Sequence, residues 1–117
     1  MPNISTLAGT WELNYITGPR IAFDGLYPEK KPVITFDVQE KKVNGNTSCN
    51  NFNAALNAEG NKISFTDPMA MTRMMCPGNG ETTFLQTLYK VTGWYVSNDT
   101  TLNLMMGDIE TMRFIKK

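Results

Sequence analysis

Phe52-Asn53-Ala54-Ala55-Leu56-Asn57-Ala58-Glu59-Gly60-Asn61-Lys62-Ile63-Ser64-Phe65 reads as a β-hairpin. Phe52, Ala54 and Leu56 occupy alternate positions, the period-two pattern of a strand with one buried face. Residues 57–61 supply a turn, because Gly and Asn tolerate the positive φ that a tight reversal needs. Ile63 and Phe65 restart the alternation on the way back. The same grammar extends outward in both directions. Towards the N-terminus, Trp11, Leu13 and Tyr15 alternate, as do Ile34, Phe36 and Val38, and Glu40-Lys41-Lys42 turns into Val43-Asn44-Gly45. Towards the C-terminus, Asp67-Pro68 ends the hairpin and 69–72 forms a further short strand. Three more strands follow at 94–97, 101–105 and 111–115, separated by Asn98-Asp99-Thr100 and Met106-Gly107-Asp108.

One segment changes period. Over 80–91, Phe84, Leu85, Leu88 and Tyr89 fall on one side of a helix. Asn79 is placed to cap it, Glu81 suits its positive end, and Gly93 suits its exit. Short antiparallel strands with one helix predict a mostly β (α+β) fold: an antiparallel β-barrel or strongly curved sheet of about eight strands, with the helix plugging one end or packing on the open side. A sandwich is the alternative.

A chain of 117 residues makes one domain spanning 1–117. Eleven basic and eleven acidic residues cancel without clustering, which argues against nucleic-acid binding, since that needs a concentrated basic surface. No apolar run is long enough to cross a bilayer as a helix. The chain has no histidine, so Ser-His-Asp and Cys-His catalysis is excluded. The acidic residues Glu40, Glu59, Asp67, Asp99 and Asp108 fall in predicted turns, which suits solvated charges better than an acid/base pair. The expectation is therefore a non-enzyme with no cofactor and no metal.

Both cysteines sit in dense local patterns, Asn46-Thr47-Ser48-Cys49-Asn50-Asn51-Phe52 and Thr72-Arg73-Met74-Met75-Cys76. Taken with Trp11-x-Leu13, Gly45, the Glu81 helix with Phe84-Leu85-x-x-Leu88, Leu102-x-Leu104 and Phe114, the chain resembles the META domain family, that of the bacterial heat-shock protein HslJ. The resemblance runs from Thr6 to Ile115. It departs from the family pattern at Ser48, where Gly is usual, at Ala54, and at Met75, where a small residue is usual. The resemblance implies a small β-barrel of lipocalin-like topology with one helix, found in bacterial envelope or secreted proteins, many of them lipoproteins, and associated with stress tolerance. It carries no catalytic residues.

An envelope location would favour a bridge between Cys49 and Cys76, with loop closure contributing about 3.5 kcal/mol. Two buried free thiols are the alternative. Asn50 is expected to hydrogen-bond turn backbone, and the Thr72 hydroxyl to meet backbone or Asn50. Met69, Met71, Met74 and Met75 around Cys76 suggest a soft-metal site such as Cu(I), against which stands simple core filling by methionine. The long 18–32 loop is the candidate interaction surface through Phe23, Leu26 and Tyr27, although the same aromatics would serve as a cover for one barrel end. The functional expectation is a non-catalytic envelope module with an unidentified protein or small-molecule partner. A lipocalin-like carrier and a protein inhibitor or adaptor are the alternatives.

Overall fold

The computed structural model describes residues 4–17, 23–28 and 30–117. After a short 3-10 turn at Ile4–Leu7, the strands are β1 (Gly9–Ile16), β2 (Val33–Asp37), β3 (Lys42–Asn46), β4 (Asn51–Ala55), β5 (Asn57–Glu59), β6 (Lys62–Ser64), β7 (Ala70–Met71), β8 (Gly93–Ser97), β9 (Thr101–Met106) and β10 (Ile109–Lys116). Two helices interrupt them, a single turn α1 (Phe23–Leu26) and the longer α2 (Gly80–Tyr89). The strands form one antiparallel sheet in the order β5-β6-β8-β9-β10-β1-β2-β3-β4-β7. One continuous ladder, rather than two facing sheets, rules out the sandwich.

The sheet curls because β4 and β5 are one run of chain bent at Leu56. β4 pairs with β3, whereas β5 pairs with β6 at the opposite end of the strand order. Leu56 is buried at the bend, and its N–H donates to the Lys41 carbonyl (2.8 Å). The bend also makes a strand where local sequence predicts only a loop. Residues 57–59, read as loop, pair with 62–64, and the reversal narrows to Gly60-Asn61, with Gly60 at φ +59°.

Alternation fills the concave side. Trp11, Leu13, Ile34, Phe36, Val43, Phe52, Phe65, Trp94, Leu102, Leu104, Met112 and Phe114 are all buried. Gly45 makes room for this packing. It sits between Ile34 on β2 and Phe52 on β4, and a Cβ there would lie 2.2 Å from the Val33 carbonyl oxygen and 3.0 Å from the Phe52 ring.

The predicted helix is present, shorter at its end. Phe84 and Leu88 are fully buried and Leu85 packs against the core, while Tyr89 is exposed. The Phe84 ring lies 6.1 Å from Phe52, tilted to it, and 6.5 Å from Phe114, edge to face, so α2 closes the open side of the sheet through aromatic contacts. Two helix-end expectations are corrected. Asn79 makes no side-chain cap; only its carbonyl is engaged, by the Thr83 N–H (2.9 Å). Gly93 opens β8 instead of ending the helix, which closes at Lys90 through its N–H to the Thr87 carbonyl. A Cβ at this position would crowd the Asn61 carbonyl at 3.1 Å.

Candidate functional site around the Cys49–Cys76 bridge

The turn between β3 and β4 builds the site. Asn46 Oδ1 accepts from the Ser48 N–H (2.8 Å) and Thr47 Oγ1 from the Asn50 N–H (3.0 Å), two side chains standing in for turn backbone. Ser48 takes φ +84°, the region that glycine favours. Its hydroxyl donates to the Lys30 carbonyl (2.6 Å), which offsets part of the strain and ties the turn to the chain before β2. The geometry usual for a glycine is thus kept by a serine.

This turn presents Cys49 and Asn50 to the segment after β7. Cys49 and Cys76 are bridged, with Cα atoms 6.0 Å apart, and among the described residues there is no free cysteine. Asn50, almost wholly buried, is the hub. Its Oδ1 accepts from the Met74 N–H (2.6 Å) and from Thr72 Oγ1 (2.9 Å). Its Nδ2 donates to the Met74 carbonyl (3.1 Å) and to Glu81 Oε2 (2.8 Å). One amide therefore clamps both backbone groups of Met74 and reaches the first turn of α2. Thr72 Oγ1 in turn accepts from the Asn51 N–H (3.0 Å). The Thr72 hydroxyl meets both Asn50 and backbone, as its type suggests; Asn50, expected to hold its own turn, instead reaches across to Met74 and Glu81 and leaves the turn to Asn46 and Thr47.

Glu81 does more than suit the positive end of the helix. Its Oε2 also accepts from Thr47 Oγ1 (2.6 Å), so the carboxylate ties the helix start to the β3–β4 turn and, through Asn50, to the post-β7 segment. The Glu81 helix within the family pattern was the signal; its partner lay too far away in sequence to be named.

Leu26 and Tyr27 of the candidate interaction loop are buried, and Phe23 is partly so. Tyr27 Oη donates to the Gly80 carbonyl (2.9 Å), and a Cβ on Gly80 would come within 2.9 Å of the Leu26 carbonyl and closer still to the Tyr27 ring. Burial pushes the Tyr27 hydroxyl well above the ordinary tyrosine range. Leu26 and Tyr27 thus serve as barrel-end cover; residues 18–22 and 29 of the loop lie outside the described residues. Between this cover and the bridge lies a cleft of about 350 Å³, lined among others by Leu26, Lys30, Ser48, Cys76 and Glu81.

The methionines divide. Met69 and Met71 pack on the core, as the filling role requires. Met74 and Met75 point outward, 64% and 97% exposed. Cys76 is in the bridge, and among the described residues no three His, Cys, Asp or Glu side chains gather as metal ligands. Nor is any helix of those residues long and apolar enough to cross a membrane.

Comparison with known proteins places this geometry. The META domain family matches residues 5–117. No curated protein matches. Among solved structures, an NMR structure of a protein from Burkholderia xenovorans is 20% identical over 97% of this chain and 85% of its own, with a TM-score of 0.71. A second NMR structure, also 20% identical, covers 99% of this chain and 96% of its own at a TM-score of 0.70. A crystal structure of a DUF4847 family protein from Bacteroides vulgatus ATCC 8482 is 13% identical, covering 96% and 94%, at 0.65. At these identities the likeness is one of fold.

Proposed function

This chain belongs to the META domain family, and from that premise we propose that it is a non-catalytic module of the bacterial cell envelope that supports stress tolerance by contact with a protein partner. One observation carries the contact reading: the segment 72–76 is held rigidly from beneath while its apolar side chains face solvent. Asn50 clamps the Met74 backbone, the bridge pins Cys76, and Met74 and Met75 stand out from the surface. Apolar side chains held out of the core by an ordered scaffold suit a docking surface. A bridge whose two cysteines come from separate segments fits an oxidising compartment.

A carrier is the weaker reading. A small barrel holds a ligand only if its interior is left open, and here Trp11, Phe36, Phe52, Phe65 and Phe114 occupy it. The non-catalytic reading rests on the absence of histidine and on the polar groups at the bridge, whose hydrogen bonds are spent on one another.

The test is a photo-crosslinking amino acid at position 75, expressed in the native host under envelope stress. Irradiation is expected to give discrete protein adducts in the envelope fraction. A protein that fractionates with the cytoplasm, or that gives no adduct from position 75 while remaining folded, would overturn the proposal.

A further inference from the structure

We infer that Met74 and Met75 form an oxidation site, a place where a hydroperoxide converts methionine to methionine sulfoxide without disturbing the fold. The chemistry balances within the pair of reactants. A sulfur lone pair attacks the distal peroxide oxygen, an S–O bond forms as the O–O bond breaks, and the peroxide leaves as water or an alcohol. Sulfur loses two electrons and the peroxide gains them.

Three features focus that reaction here. The first is competition. A free thiolate would react with peroxide readily, but Cys49 and Cys76 are already bridged and no other cysteine exists. Both tryptophans are buried. The oxidisable side chains left in contact with solvent are methionines. The second is exposure. Met75 is 97% and Met74 64% exposed, against 38% for Met106 and none for Met112. The third is that the exposure is built in. Both backbone groups of Met74 are held by the buried Asn50 amide, Thr72 is fixed to Asn50 and Asn51, and Cys76 is tied to Cys49. The backbone beneath the pair is thus anchored on both sides, and the groups that anchor it contain nothing that peroxide attacks readily. A sulfoxide at either position turns an apolar projection into a polar one, so the surface changes while its scaffold stays. The inference stands whether or not that surface meets a partner.

The experiment is graded hydrogen peroxide treatment of the purified full chain with its bridge intact, followed by quenching and peptide mapping. Among the described methionines, single-oxygen additions are expected at Met75 first, then Met74, then Met106, with Met112 slower than Met75 by at least about tenfold because it reacts only through opening of the core. The singly and doubly oxidised forms should keep the melting temperature of the untreated protein, and a methionine sulfoxide reductase with a dithiol should restore both residues. Oxidation of Met112 or Met71 in step with Met75 would overturn the inference, as would loss of the native melt at the stage where only Met74 and Met75 are modified. In the Met74→Leu/Met75→Leu variant, the fast phase of peroxide consumption should shrink by two equivalents per chain; an unchanged fast phase would overturn the inference as well.

Discussion

At Asn50 one side chain satisfies four groups: the N–H and carbonyl of Met74, the Thr72 hydroxyl and the Glu81 carboxylate. Buried hydrogen-bonding groups are costly when left unpaired, so the position should tolerate little. Asn50→Ala is expected to lower stability by about 3 kcal/mol, measured as the shift in the urea midpoint at constant slope. Asn50→Asp should cost at least as much. It keeps the acceptor for Met74 and Thr72 but replaces the donor with an oxygen facing Glu81 and the Met74 carbonyl. Gly45 is decisive for a different reason. Gly45→Ala would press a Cβ into the Val33 carbonyl of the adjacent strand, and backbone has little room to retreat. A loss of more than about 3 kcal/mol, or no soluble folded protein, is expected; a midpoint within experimental scatter of the parent would show that β2 and β3 can separate at this point.

Between elements, the segment after β7 is held twice, by the bridge and by the Asn50–Glu81 network. The bridge spans 27 positions, for which chain-entropy reasoning gives about 3.5 kcal/mol. The network does not depend on sulfur. Cys49→Ser/Cys76→Ser is therefore expected to lose roughly that amount in denaturant unfolding while keeping its far-ultraviolet circular dichroism and the native fold. An unfolded variant would mean that the network needs the bridge to form. Beyond the Glu81 and Gly80 hydrogen bonds at its start, helix α2 is held by its apolar face. Phe84 sits between Phe52 and Phe114 with no exposure, so Phe84→Ala should open a cavity and cost about 3–5 kcal/mol.

For the molecule as a whole, the closed barrel end couples folding to alkaline pH. In the unfolded chain Tyr27 ionises near the ordinary tyrosine value of about 10. In the fold, burial holds its proton to a higher pH. The unfolded state therefore releases the proton first, and the contribution that is complete below about pH 10 is lost as pH rises above it. Urea midpoints across the alkaline range should fall more steeply for the parent than for Tyr27→Phe. At neutral pH the variant should be weaker by about 1 kcal/mol, through loss of the hydrogen bond to the Gly80 carbonyl. Equal alkaline slopes would place the proton release elsewhere in the chain.

Much of the architecture was legible in the residues. Period-two alternation at Trp11-x-Leu13, Ile34-x-Phe36 and Phe52-x-Ala54-x-Leu56 is a local consequence of which side chains must leave water, as is the helical spacing of Phe84, Leu85 and Leu88. The META resemblance rested on side chains whose types matter in any context: two cysteines, a glycine with no room for a Cβ, and an asparagine in a turn. Other properties depend on groups far apart in sequence. Residues 57–59 are strand because the chain bends at Leu56 and brings them against β6, which no local propensity expresses. Glu81 became the acceptor for Thr47 and Asn50, and Leu26 and Tyr27 became a cover over Gly80, only once the helix had docked. Met74 and Met75 are spelled like Met69 and Met71. Backbone held from below by Asn50 turns the first pair out to solvent, while the second packs against the core, because burial is set by what folds over a residue and not by the residue itself.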